Sequence, residues 1–298
     1  MLEFKVITDL ETAQQLWNEL SPKESLFDLW DFRYCFYKYE PYPLYFIAAY
    51  DKQAIETTEL VGLMPLERHP QYGYEFLAED ACEESRPFVK PGRDDLIPLL
   101  YREVPVPAKF FDISGNDAFT SQLPLEDYKY VLPLGELKDT EDYFQKSFSS
   151  KGARIKRYLK KIDHLGVEII EDNPANIEAL FLLNENNFGV ESYLNEAGRR
   201  GWRDLLMPPN NFLTHLISLR INGLIVAASF AIFYNDIYYG LISGSDRSFS
   251  GLGQYLNKLM LDKAFSLRAK LFDAGLGDCN WKEAWHLARR PQYKFIKK

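Results

Sequence analysis

The chain has 298 residues, 46% apolar and 15% aromatic, with 43 acidic and 35 basic side chains for a net charge of −8. This composition excludes a disordered or low-complexity chain, and the length favours two domains. An acidic balance argues against general nucleic-acid binding, which rests on neutralising phosphates. Cys35, Cys82 and Cys279 are too scattered for a disulfide framework, and with four dispersed histidines they offer no zinc spacing, so no metal is expected. The start of the chain lacks a basic region followed by an apolar run. Its most apolar stretch, Leu224 to Phe233, is about half the roughly 20 residues of a spanning helix. The expectation is a cytoplasmic protein with no transmembrane segment.

Taken in chain order, residues 11–20 carry Ala13, Leu16, Trp17 and Leu20 at helical spacing, and 25–39 read as a second, aromatic-rich helix. Residues 44–50 and 60–66 are apolar runs of strand length around a polar turn. The stretch 70–95 is mixed and broken by Pro and Gly. A helix is expected over 94–104, a strand over 110–113, and a connector holding a strand at 128–132. The domain boundary is placed here, giving 1–135 and 136–298.

The second half repeats this order. A strongly basic helix is expected over 140–165, then Gly166 and a strand at 167–170. A helical stripe covers 176–188 and a short helix 202–206. Residues 212–220 and 224–234 flank Asn222-Gly223, a favoured hairpin turn, and a third strand spans 237–242. Helix 254–268, strand 271–274, a short helix at 281–287 and a last strand at 292–296 complete the pattern. Phe111-Asp112 and Phe272-Asp273 occupy matching places in the two halves.

Three stretches can carry chemistry. Arg247-Ser248-Phe249-Ser250-Gly251-Leu252-Gly253-Gln254 lies between a strand and a helix. Small residues there let backbone approach a ligand, and the first helical amides lack internal partners, which suits a pyrophosphate. The competing reading is a turn that needs glycine for its backbone. The second stretch, 149–161, gathers six basic residues, among them Arg154, Lys156 and Arg157. It would concentrate an anionic substrate, or form a solvated or lipid-facing helix face. The third, Phe272 to Trp285, places Lys282 near a helix start, against the helix dipole, with Asp273 at a strand end as either a general base or a turn anchor.

Together these stretches resemble the acetyltransferase-like family associated with bacterial cellulose biosynthesis, within the GNAT superfamily. They also resemble the Fem peptidyltransferases with their tandem GNAT domains. Arg154-Ile155-Lys156-Arg157 before Gly166-Val167 carries the likeness, as do Phe272, Asp273, Gly275, Gly277, Trp281, Lys282 and Trp285. Leu26-Phe27 with Trp30, and Val61 to Leu66, carry it in the first half. Arg247 stands one residue further from Gly251 than the GNAT coenzyme A loop pattern.

The resemblance implies an α+β fold of tandem GNAT-like domains, each a twisted, mostly antiparallel sheet flanked by helices. It implies an acyltransferase moving an acyl group from acyl-coenzyme A, as co-substrate, to an amine-bearing small molecule or a lipid or cell-wall precursor. Arg247, Ser250, Gly251, Leu252, Gly253 and Gln254 would bind the donor. A backbone amide within 239–244 would polarise its carbonyl, and Lys282 would lie near the transferred group. The amine would be deprotonated by a base or through water, Asp273 staying open as either that base or a structural anchor, and Tyr239, Tyr255 and Tyr238 could protonate the leaving thiolate. The first half lacks a Gly-x-Gly loop and is expected to form an acceptor wall. The alternatives are Fem-like transfer from aminoacyl-tRNA, and a catalytically silent GNAT fold that binds a ligand.

Overall fold

In the computed structural model the described residues are 2–52, 58–148, 152–189, 194–208, 210–279 and 281–298. They fall into two units, Met1–Tyr128 with Pro291–Lys298, and Lys129–Arg290. The sequence places one boundary at 135/136. The observed division comes seven residues earlier and returns the last eight residues to the first unit, because the end of the chain pairs with a strand there.

The first unit opens with strand β1 (Leu2–Ile7) and helix α1 (Leu10–Leu20). Asp9 caps α1 by accepting the Thr12 amide at 2.8 Å, and Ala13, Leu16, Trp17 and Leu20 are buried as their spacing requires. The expected helix at 25–39 is divided into a 3-10 turn at Leu26–Asp28 and helix α2 (Trp30–Tyr37). The Asp28 carboxylate accepts the amides of Glu24 and Ser25, and its carbonyl accepts Trp17 Nε1 at 2.8 Å and Ser21 Oγ. These bonds hold Leu29 in an extended conformation and end the first turn.

Strands β2 (Phe46–Lys52), β3 (Thr58–Met64), β4 (Leu66–His69), β5 (Gly73–Phe76) and β6 (Phe88–Val89) follow, then helix α3 (Ile97–Glu103) and strands β7 (Ala108–Ile113) and β8 (Leu125–Pro133). β1, β2, β3 and β6 form an antiparallel sheet in that order. The mixed 70–95 stretch supplies the β4–β5 hairpin, and β5 runs parallel to β7. Two apolar clusters fill the unit, one around Trp17, Trp30, Phe46 and Phe88, the other around Leu66, Phe76, Leu100 and Phe110.

The second unit contains helices α4 (Thr140–Ser147) and α5 (Gly152–Asp163), strand β9 (Glu168–Glu171), helices α6 (Ile177–Phe188) and α7 (Glu196–Leu205), strands β10 (Leu213–Ile221), β11 (Leu224–Tyr234) and β12 (Ile237–Ser245), helix α8 (Leu252–Ser266) and strand β13 (Leu271–Leu276). The single helix expected over 140–165 is two, with residues 149–151 outside the described set. The short helix expected at 281–287 is a run of hydrogen-bonded turns, and residue 280 also lies outside. Within this unit the strand order is β8, β13, β12, β11, β10, β9, antiparallel throughout except that β12 and β13 run parallel. The last strand, β14 (Ala288–Lys297), pairs antiparallel with β7 and completes the first unit. The fold is α+β, with mostly antiparallel sheets flanked by helices.

Candidate active site

β12 and β13 start side by side and then part. Their parallel ladder comprises Ile237 with Leu271, Tyr238 with Phe272 and Tyr239 with Asp273. Beyond these three pairs no further one joins them among the described residues, although β12 runs on to Ser245 and β13 to Leu276. On its other edge β12 stays paired with β11 to the end, with one irregularity. Phe230 opposes Ile242 and Ala231 opposes Gly240, so Leu241 is an extra residue. A bulge of this kind bends a strand and re-aims its peptide groups. The parting therefore leaves the 240–245 backbone edge of β12 without a ladder partner on that side among the described residues, the kind of edge whose amides can meet a developing oxyanion.

β12 leads directly into the glycine loop. Ser248 donates its amide to the Asp246 carboxylate at 2.8 Å, and the Phe249 amide reaches the Asp246 carbonyl. Gly251 caps α8 with φ of +102°, a conformation that favours glycine. Among the described residues, no protein acceptor takes the amides of Gly251, Gly253 or Gln254. A Cβ built on Gly253 would find its nearest neighbour, Ser245 Oγ, 3.7 Å away, so backbone there is open to approach. α8 runs for 15 residues and adds the partial positive charge of its N-terminus. Ser250 is exposed and Leu252 buried. Arg247 is exposed and donates to the Asn187 carbonyl near the end of α6, so it is directed at protein backbone. Tyr255, half-buried, sits one turn into α8 with its amide on the Gly251 carbonyl at 3.0 Å.

Lys282 is 3% exposed. Its ammonium donates to the Leu276 carbonyl at 2.6 Å and lies 5.6 Å from the centre of the Tyr130 ring. Asp278 accepts the Glu283 amide, which stabilises the turn that carries Lys282. The Trp285 indole donates to Gln254 Oε1 at 2.7 Å. That bond joins the glycine loop's helix to the lysine's turn. Asp273, also buried, pairs with Lys129 at 2.8 Å and accepts the Gly275 amide at 2.9 Å. Lys129 lies 5.6 Å from the centre of the Tyr239 ring. Tyr238 points elsewhere, its hydroxyl 2.6 Å from His215 Nδ1. Burial holds the His215 imidazole below the usual histidine range and the Tyr238 hydroxyl well above the usual tyrosine range.

The structure thus gathers Tyr239, Asp273, Lys282, Gln254 and the glycine loop into one unit. α5 packs against α8, but its basic residues are spent differently. Lys156 pairs with Glu141 at 2.6 Å, Arg157 is exposed, and the Arg154 side chain lies outside the described set. Sequence reasoning missed Lys129 and Tyr130, which share one short strand. A lysine inside an apolar strand, in Tyr128-Lys129-Tyr130-Val131-Leu132, was the available signal. Among the described residues no group of three or more His, Cys, Asp or Glu side chains could hold a metal ion, and no helix is long and apolar enough to cross a membrane.

A family model described as acetyltransferase (GNAT) domain matches residues 149–283, spanning the parted strands, the glycine loop and Lys282. The second unit is a GNAT domain. Over those residues the protein carries an acyltransferase domain of GNAT type. No curated protein sequence matches the chain. Among solved structures, FemX superposes with a TM-score of 0.61 at 11% identity, covering 99% of this chain and 97% of that one. L-PGS from Bacillus licheniformis has a TM-score of 0.61 at 11% identity, with 98% and 92% covered. A tandem GNAT protein from the clavulanic acid biosynthesis pathway has 0.54 at 11% identity, with 99% and 98% covered. At such identities these likenesses speak to the fold, and they extend it over the whole chain as a tandem GNAT arrangement.

Proposed function

We propose that this GNAT acyltransferase moves an acyl group from acyl-coenzyme A to an amine. One observation carries the reading: the parted, bulged β12 runs straight into a loop with free amides at Gly251, Gly253 and Gln254. Those amides, with Ser250 and Leu252 around them, would hold the donor's diphosphate at the helix start. Arg247, engaged with Asn187, is assigned to fixing the loop against α6. An amide in 240–244 would stabilise the oxyanion. Tyr255, beside the loop, is the better placed proton donor for the leaving thiolate, because Tyr239 is 1% exposed under Lys129. Lys282 would sit beside the transferred group. Asp273, already engaged by Lys129 and Gly275, is assigned an anchoring role in place of general base. Arg157, exposed on α5, would draw an anionic donor inward, with Lys156 and Arg154.

Thermal unfolding with coenzyme A species tests this. At about a hundredfold its dissociation constant a donor adds roughly 2.7 kcal/mol. Gly253→Val should remove that increment and leave the apo protein folded, since the site has room for a side chain but the donor does not. A full increment in the variant would refute the loop assignment. The FemX-like fold favours a second reading, aminoacyl transfer from a charged tRNA. Salt-sensitive tRNA binding together with silence toward coenzyme A would select it.

A further inference from the structure

Lys129 is 1% exposed, buried on the last strand before the GNAT match begins. Its ammonium lies 2.8 Å from Asp273 Oδ2. The other oxygen of Asp273 accepts the Gly275 amide. In the ladder between β8 and β13, Asp273 opposes Val131 and Leu276 opposes Lys129, so three steps on β13 are matched by two on β8. The surplus is taken up at Ala274-Gly275, where Gly275 has φ of +77°. Asp273 is therefore both the last residue paired with β12 and the clasp of a bulge. Directly after that bulge, the Leu276 carbonyl receives the Lys282 ammonium at 2.6 Å. The neighbouring residue on β8, Tyr130, offers its ring to the same ammonium, 5.6 Å away. One strand thus bears both supports: Lys129 fixes the acceptor's backbone, and Tyr130 faces the lysine itself.

We propose that Lys129 is a positioning residue for acyl transfer, holding the Asp273 clasp and through it the carbonyl that aims Lys282. The inference rests on the reading of Lys282 as the group beside the transferred acyl. A buried ammonium is costly to keep unless it is paired, so Lys129 has a definite partner to lose. Its removal frees Asp273, slackens the bulge and lets the Leu276 carbonyl drift from Lys282. Misplacement of a group by about 1 Å can cost on the order of 100-fold in rate.

The decisive measurement needs no turnover. The folded full-length chain is pulsed with acetic anhydride and the acylation of Lys282 is followed by peptide mass spectrometry. In the wild type Lys282 should react slowly. In Lys129→Met it should react about tenfold faster or more, the mark of local opening, while Lys129→Arg stays near wild type. A folded Lys129→Met chain that protects Lys282 as well as wild type overturns the proposal. Because a lone buried Asp273 could unfold the single variant, Lys129→Met/Asp273→Leu is measured beside it, since a buried pair is often replaced by apolar residues without loss. Protection of Lys282 in that folded double variant overturns the proposal equally.

With acetyl-coenzyme A as the probe donor, Lys129→Met should lower kcat by about 100-fold and leave the coenzyme A Kd within about twofold. Joint loss of kcat and donor binding would mean general damage to the sheet and would also overturn it. If Lys282→Met keeps full turnover, the catalytic reading of Lys282 fails, while the labelling result still decides what Lys129 does.

Discussion

At the residue scale, the two glycines of the loop before α8 do different work. Gly251 adopts φ of +102°, whereas Gly253 is an ordinary helical position with open space beyond it. Gly251→Ala should therefore cost about 1–2 kcal/mol of stability, because a Cβ in the left-handed region meets its own backbone. Gly253→Ala should leave stability unchanged or raise it by about 0.5–1 kcal/mol, since alanine suits a helix better. Urea titration of both variants checks this, and equal losses would contradict the geometry. The Gly-x-Gly spacing made this loop legible as a candidate in the sequence, and the charge of Lys282 near an expected helix start made that residue legible as another. Lys129 was not, because its role comes from a partner 144 positions away. Nor was the engagement of Asp273, since one carboxylate at a strand end reads equally as base or anchor until its neighbours are placed.

At the scale of elements, long periodic segments read true, and the breaks between them did not. The strands at 212–220, 224–234 and 237–242 and the helix at 254–268 stand close to where their patterns put them. The breaks at Leu29 and at Phe148 escaped notice because apolar spacing continues across them. The first is set by the distant indole of Trp17 and hydroxyl of Ser21 binding the Asp28 carbonyl. β1 was missed because none of its residues is fully buried: four of the six are half-buried and two exposed, with no alternation to read. The packing of α6 on β12 was equally hidden. Asn184 donates to the Ser243 carbonyl at 2.8 Å, and a Cβ on Gly244 would lie 2.5 Å from the Asn184 amide nitrogen and 2.6 Å from the Leu183 carbonyl carbon. Those neighbours are helix backbone and cannot rotate away. Gly244→Ala should lift α6 from the sheet and destabilise the GNAT domain by about 1–3 kcal/mol. Thermal unfolding reads the loss, and a neutral result would mean that helix and strand pack more loosely than described.

For the whole molecule, protonation acts on the two units in opposite senses. In the first unit, Glu67 and Glu75 face each other across the β4–β5 hairpin and are 3% and 8% exposed. Burial pushes Glu67 up to about 8 and Glu75 up to about 7, and Glu79 well above the ordinary carboxylate range. The Arg33 guanidinium close by gives its hydrogens to the Phe27, Leu77 and Glu84 carbonyls and to Ser85. From about pH 4.5 upward an unfolded chain has shed these protons while the folded unit keeps them. Stability is thus fully present below the ordinary carboxylate pKa and is lost as pH rises through the folded values near 7 and 8. His215 in the second unit works the other way. Its folded pKa lies below 6.5, so its contribution is present above that value and is lost as pH falls. A scan from pH 5 to 8.5 should therefore lower the melting temperature of the first unit. Glu67→Gln, which keeps an oxygen for the Ala78 amide and cannot ionise, should raise it at pH 8.5 by about 3 °C or more and leave it unchanged at pH 5. Hydrogen exchange along residues 66–76 assigns the change to its unit. An equal effect of Glu67→Gln at both pH values would mean that this carboxyl titrates normally and that the cross-strand pair holds no proton.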